Sequence, residues 1–453
     1  MGNYLQIRNE RWNYIEAVVT SVALFALYKF VLVSLGIAVI GIWSIVVATT
    51  SLGRMADVGT AGGLGRYIAI LQVDGTKDAE SRADATLIYV ETGLLFSAFI
   101  FALIGAALYL PALYAIRLAV PESAMKVVVL LLPFSLLSFV TTNVASVSSA
   151  ALIGMHRSDQ KSKISILASL LQVFIAIMLK DKLGLVGLAL AQVVQALFVL
   201  VGSWLTILYL VKRKLTLALP RRLWLAPLKD IAGFGLKLQL TSILGLLSEP
   251  AMKYVLSIVG GLATVGIYEL VSKGILLSRQ FIIAPTPNLV PAFSASLAGD
   301  RTLLAHTYSE ATAKLVVLGV GGMALIAITA PLISVIWLGS IQTDFVLYSV
   351  IMAAGWAVNI VGVPGFSLAI ATGRLGGNIL GNTITLVIGP VVGFVLATTF
   401  SEPAYAVGAN AFAIAIGATF SAVYMCRSLN IEFLPNLSDY HFTGHISSLF
   451  RRN

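Results

Sequence analysis

The chain has 453 residues, of which 58% are hydrophobic and only 11% charged, with a mean hydropathy of +0.94 and a formal net charge of +10. Those figures exclude an ordinary water-soluble globular protein, and the single cysteine, Cys426, excludes a disulfide framework or a thiolate metal cluster within one chain. Apolar runs of about 20 residues recur along the whole length, each long enough to cross a bilayer as a helix. The runs are continuous rather than alternating, so helices rather than barrel strands satisfy the backbone in hydrocarbon.

Polar breaks divide the chain into twelve expected helices, near 14–35, 40–70, 84–109, 122–154, 162–180, 183–212, 230–258, 262–298, 302–330, 344–372, 375–399 and 403–428. No cleavable signal is expected: the first apolar run follows Arg8 and Arg11 without a small-residue cleavage site. Eighteen of the 30 Lys and Arg fall in loops on one side, against Arg117, Lys126, Lys180 and Lys182 on the other. The positive-inside rule therefore places both termini in the cytoplasm. The basic surplus is a topology signal, not a nucleic-acid footprint.

The two halves repeat one another in order. Lys29, Gly36, Gly41-Ile42-Trp43 and Arg54 match Lys253, Gly260, Gly266-Ile267-Tyr268 and Arg279; Asn143 and Arg157 match Asn359 and Arg374. Six helices per half give both halves the same orientation, related by an axis along the membrane normal, with a site expected between them. The expected domains are a lobe at 1–211, a basic cytoplasmic linker at 212–229 containing Pro220 and Pro227, a second lobe at 230–428 and a cytoplasmic tail at 429–453.

Soluble-enzyme motifs are absent: there is no P-loop, HExxH or nucleophile elbow, and His156, His306, His441 and His445 are scattered. The short outer loops leave no room for a catalytic domain, so no enzyme, cofactor or metal site is expected. The run Gly59-Thr-Ala-Gly-Gly-Leu-Gly65 has no preceding strand, and reads as close helix packing or bending rather than as a nucleotide loop.

Embedded charges carry the functional signal. Five bases, Lys29, Arg54, Lys253, Lys273 and Arg279, would together cost more than about 12 kcal/mol if they faced lipid. They must face water, a partner or a ligand. Glu249 and Lys253, Glu269 and Lys273, and Arg54 and Asp57 stand three or four apart, so local ion pairing is as good a reading for them as substrate binding. Lys29 and Arg279 have no acid within a turn or two, and are the leading candidates for binding an anion. Snorkelling is an alternative for Lys29, near a helix end. Glu91 is a lone embedded acid, open to coupling a proton or sodium ion or to a hydrogen-bonded structural role. Pro285, Pro287 and Pro291 lie within seven residues and are expected to bend or break their helix as a hinge or a static kink. The tail mixes Phe433, Phe442, Ile446 and Phe450 with Arg451 and Arg452, a pattern for resting on the inner membrane surface or for disorder.

The segments Leu35-Gly36, Gly41-Ile42-Trp43, Asp57-Val58-Gly59 and Arg66-Tyr67-Ile68-Ala69, with Val265-Gly266-Ile267-Tyr268 in the second half, resemble the signature of bacterial polysaccharide flippases. These are the O-antigen and exopolysaccharide transporters of the multidrug/oligosaccharidyl-lipid/polysaccharide exporter superfamily. The resemblance implies a two-lobed, V-shaped bundle of about twelve helices around a central cavity in the bacterial inner membrane. It implies transfer of undecaprenyl-diphosphate-linked oligosaccharide to the periplasmic leaflet by alternating access, with the embedded bases meeting the diphosphate. Coupling to H+ or Na+ through Asp57, Glu91, Glu249 or Glu269, membrane lipids as surroundings, and a glycan polymerase and other assembly proteins as partners belong to the same picture. A multidrug exporter of the superfamily and a non-transport component of glycan assembly are the alternatives.

The loop asymmetry gives a direct test. In a Cys426→Ala background, cysteines introduced at Thr76 and at Ser340 should react with impermeant thiol reagents from opposite sides of the membrane; labelling of both from outside would overturn the twelve-span topology.

Overall fold

The computed structural model describes residues 2–51, 64, 65, 67, 68, 71, 78–211, 220, 221, 223–283, 286, 289, 290, 293 and 301–434. Arg54, Asp57, Pro285, Pro287, Pro291, most of the linker and the tail beyond residue 434 lie outside the described residues. The described chain is helical: α1 Gly2–Leu35, α2 Ile37–Ser51, α3 Ala79–Ala119, α4 Glu122–Gly154, α5 Ser158–Leu210, α6 Leu225–Ile283, α7 Arg301–Leu338, α8 Thr343–Val361, α9 Val363–Thr372, α10 Gly376–Phe400 and α11 Ala404–Leu429. The protein is an all-α, multi-pass membrane protein.

Among the described residues nine helices are long and apolar enough to cross a membrane. Two of these turn back on themselves. The 53 residues of α5 would run about 80 Å if straight, far beyond a hydrocarbon core of about 30 Å. Gly184 leaves the helical region at φ 52°, and Ile164 reaches Gly202 on the returning arm. In α6, Gly261 at φ 76° makes the same break, and Lys253 meets Glu269 across it. Left-handed backbone is open to glycine without the Cβ penalty, so each reversal sits on one. Among the described residues, the second arm of each hairpin and the short apolar helix α2 add three further helical segments to these nine. The expected single helix at 344–372 is instead the pair α8 and α9, interrupted at Gly362.

The structure also corrects the register of the repeat. Gly36, at φ 87°, corresponds to Gly261 and not to Gly260, because both end one helix and begin the next in a left-handed conformation. Buried Leu27, Tyr28 and Val31 then line up with buried Met252, Lys253 and Leu256. Lys253 thus corresponds to Tyr28, and Lys29 to Tyr254.

The chain divides into two compact units, Met1–Glu269 and Leu270–Asn453, with the boundary inside α6. In the first, α1 packs on α5, α3 and α5 pack on α4, and α2 lies against α3 and α4. Its core gathers Leu64, Ile68, Leu94, Val147, Trp204 and Ile207. Gly65 closely approaches the Ala150 carbonyl, and Gly154 meets Gly65 in turn, so the end of the 59–65 glycine run serves helix packing. The start of α1 is tied to the start of α5: buried Asp159 receives Arg8 at 3.2 Å and Arg157 at 3.5 Å, and Lys161 reaches Glu16 at 2.6 Å. In the second unit α10 packs on α11, which also meets α8 and α9, while α7 packs on α8. Phe293, Tyr308, Leu368 and Met425 form a core there.

Two glycine crossings in the first unit are reciprocal. A Cβ on Gly41 would strike the Leu262 carbonyl, and one on Gly266 would strike the Ile37 carbonyl. The pairs 37/262 and 41/266 are equivalent positions of the repeat, so this is a local two-fold contact at backbone distance. Gly41→Ala and Gly266→Ala should each cost about 1–3 kcal/mol by overpacking and lower the melting temperature in detergent. Gly408→Ala, with nothing within 4 Å of its Cβ, should leave it unchanged or raise it.

Candidate functional site

The first unit buries one lysine among carboxylates. Glu249 and Lys253 lie four apart on the first arm of α6, and Nζ of Lys253 stands 2.6 Å from Oε1 of Glu249. The reversal at Gly261 brings Glu269 back alongside, with Oε2 at 2.8 Å from the same nitrogen. Tyr28 on α1 donates its hydroxyl to Oε1 of Glu269 at 2.7 Å, and Ser44 on α2 donates to Oε2 at 2.9 Å. Trp43 packs on the Tyr28 ring at 5.5 Å, and the Thr49 and Tyr254 hydroxyls share a hydrogen bond of 2.7 Å. The Lys253 side chain is 2% exposed and that of Glu269 4%, whereas Glu249 is 44% exposed. Two carboxylates thus face one ammonium.

The second unit holds its cation differently. Arg279, on the returning arm of α6, donates Nε–H to Oδ1 of Asn359 at 3.2 Å. Its guanidinium carbon lies 5.1 Å from the centre of the Trp356 ring. Trp356 and Asn359 are three apart on α8, hence on one face of that helix. Both partners are neutral, and among the described residues no carboxylate pairs with Arg279. The indole Nε1 of Trp356 is itself buried without a hydrogen-bond partner among the described residues. The group is therefore rich in N–H donors, with no carboxylate among the described residues to receive them.

Lys29 and Lys273 are half-buried. Glu91, buried on α3, accepts the backbone N–H of Arg221 at 3.3 Å, while Thr92 accepts that of Trp224 at the same distance. Together they hold the segment leading into α6. Arg54, Asp57 and the three hinge prolines are not among the described residues.

Sequence reasoning missed Tyr28, Ser44 and Trp356. It paired Glu269 with Lys273 by helical spacing, whereas Glu269 also reaches Lys253 across the hairpin. The repeat supplied the available signals: Asn359 already stood out as the match of Asn143, and Tyr28 becomes visible once the register is set by Gly36 and Gly261.

Residues 64–347 match a family model described as polysaccharide biosynthesis protein. No curated relative matches the sequence. Among solved structures, the chain is similar to an inward-facing multidrug resistance MATE family transporter of the MOP superfamily, at TM-score 0.71 and 16% identity over 91% of this chain and 94% of that one. The lipid II flippase MurJ in an inward closed conformation superposes at TM-score 0.64, with 12% identity over 94% of this chain and 87% of that one. A MOP superfamily transporter from Pyrococcus furiosus, whose binding pocket is described as of reverse polarity, gives TM-score 0.60, 15% identity and 94% coverage of each chain. At these identities the likeness establishes the fold.

The Lys253 cluster makes a stability prediction. Lys253→Met leaves Glu269 buried without its counter-ion and should cost about 3–5 kcal/mol. Adding Glu269→Gln should recover much of that, so thermal melts of the single and double variants will be strongly non-additive. Exchanging Glu249 and Lys253, neutral if only those two interact, should instead destabilise the fold, because it sets a carboxylate against Glu269.

Proposed function

The chain belongs to the polysaccharide biosynthesis protein family, and on that premise we propose that it is a flippase for lipid-linked oligosaccharide. In this reading it moves undecaprenyl-diphosphate-linked repeat units from the cytoplasmic to the periplasmic leaflet of the bacterial inner membrane by alternating access. In it both termini are cytoplasmic, and the basic linker at 212–229 joins two six-helix lobes at 1–211 and 230–428. A glycan polymerase downstream takes up the product.

The observation that carries the proposal is the donor set around Arg279. An exporter of organic cations wants carboxylates facing its substrate; here a guanidinium, the Trp356 indole N–H and the Asn359 amide stand together with no described carboxylate paired to the guanidinium. Such a group suits a phosphate, to which arginine presents two parallel N–H bonds. A diphosphate diester carries about two negative charges, and an inside-negative potential drives each outward by about 2.3 kcal/mol per 100 mV. Potential alone would supply roughly 4–5 kcal/mol per event, to which a coupled proton or sodium ion would add.

Arg279→Gln and Lys29→Gln should abolish surface glycan in a strain lacking the native copy, while protein level and membrane insertion stay normal. Arg279→Lys should retain part of the export if charge suffices, and little if bidentate geometry is required. Full export by the Arg279→Gln, Lys29→Gln double variant would remove these residues from the substrate path.

A further inference from the structure

Arg279 uses only part of its guanidinium inside the second unit. Its Nε–H goes to Oδ1 of Asn359 at 3.2 Å. The two Nη groups hydrogen-bond to none of the described residues, and neither is shut away from solvent. Bonding at Nε thus leaves the outer edge of the fork, the edge that pairs with two phosphate oxygens at once, open to a ligand. The Trp356 ring lies alongside, its centre 5.1 Å from the guanidinium carbon, and supports the cation without bringing a charge. The helix that carries both partners is held firmly. A Cβ on Gly355 would strike the backbone of Ala411, and one on Gly362 would press on Ala418, so α8 meets α11 at backbone distance before and after Asn359. That fit fixes the rotation of α8, and with it the place of the amide.

We propose that Asn359 sets the charge selectivity of this site: its neutral oxygen orients the Arg279 guanidinium for a phosphate, where a carboxylate would take the cation for itself. The proposal rests on the flippase reading above and deepens it, from which cation meets the diphosphate to which residue keeps that cation available. Asparagine and aspartate have nearly the same shape, and both offer an oxygen to Nε–H; they differ in charge. An aspartate here would form a charge-assisted bond to Arg279, shorter and roughly twice as strong as the neutral one. A phosphate arriving at the Nη edge would then meet a like charge beside its own binding group. Asn359 acts on the ligand through Arg279, so it is a positioning residue.

The test is binding of farnesyl diphosphate, a soluble lipid diphosphate, to the purified full-length protein in detergent by calorimetry, with a thermal melt of each variant. Asn359→Asp should bind it at least about tenfold more weakly than the wild type. It should melt no lower, since the new ion pair strengthens the tie to Arg279. Affinity falling while stability holds is the signature of charge selectivity, because a merely structural hydrogen bond would move both together. Asn359→Gln keeps a neutral acceptor and should stay within about threefold of the wild type. Asn359→Glu supplies the same charge on a longer side chain should the aspartate variant fail to fold. If the folded carboxylate variant binds as the wild type does, if its weaker binding comes with a lower melt, or if Asn359→Gln weakens binding as much, the inference falls while the flippase reading stands. If the wild type does not bind the diphosphate, or Arg279→Gln binds it equally well, the phosphate site at Arg279 falls and the inference with it.

Discussion

An ammonium in the interior of a membrane protein has to be compensated, and in this chain the compensation comes from a chain reversal. Lys253 sits where hydration is gone, at a cost of several kcal/mol for an unpaired charge. Glu249 is available on the same helix, but the buried partner is Glu269, sixteen residues on. A straight helix would set the two about 24 Å apart. Only the left-handed break at Gly261 returns the second arm so that Glu269 lies over Lys253, and it also sets Gly266 against the carbonyl of Ile37. The ion pair and the reversal thus support one another: without the turn the charges are stranded, and without the charges the first unit loses its main polar tie between the two arms of α6, α1 and α2.

The same segment explains how the repeat was read correctly in outline and wrongly in detail. Glycines 41 and 266 stood out because the backbones of α2 and of the second arm of α6 touch there, and contact at that distance admits no side chain. Lysines 29 and 253 also looked equivalent, but they are one register position off. One residue turns a helix by about 100°, so that slip moves a side chain from the buried face to its flank. In the true register Lys253 stands where the first half has Tyr28. The two do not duplicate a function: both reach Glu269, one as its counter-ion and the other as a hydrogen-bond donor.

The parts legible in the sequence were those set by local or one-dimensional physics. An all-helical, multi-pass chain follows from run length against bilayer thickness, and the Glu249–Lys253 pair follows from helical spacing. The illegible parts depend on what folds back upon what. No spacing rule joins Lys253 to Glu269, Ser44 to Glu269 or Arg279 to Trp356, because each crosses between helical segments. Hairpins at Gly184 and Gly261 are equally obscure, since a lone glycine in an apolar run signals either a turn or a packing contact until its φ is known.

The two embedded cations with well-defined partners also divide along the chemistry of their side chains. A lysine ammonium is compact and strongly hydrated, so removing it from water calls for full negative partners, and Lys253 has two. A guanidinium is flat, delocalised and weakly hydrated; it can lie over an aromatic ring and satisfy one N–H with an amide, and Arg279 does both. Among the described residues that arrangement brings no counter-charge to the guanidinium, while lowering the cost of keeping it there. A carboxylate in the place of Asn359 would stabilise the empty protein more strongly and would cancel the charge that an incoming anion could use. The described partners of Arg279 are neutral and position the cation, whereas those of Lys253 are carboxylates. The two units hold embedded positive charge by different means, one with carboxylates and the other, among the described residues, with an amide and an aromatic ring.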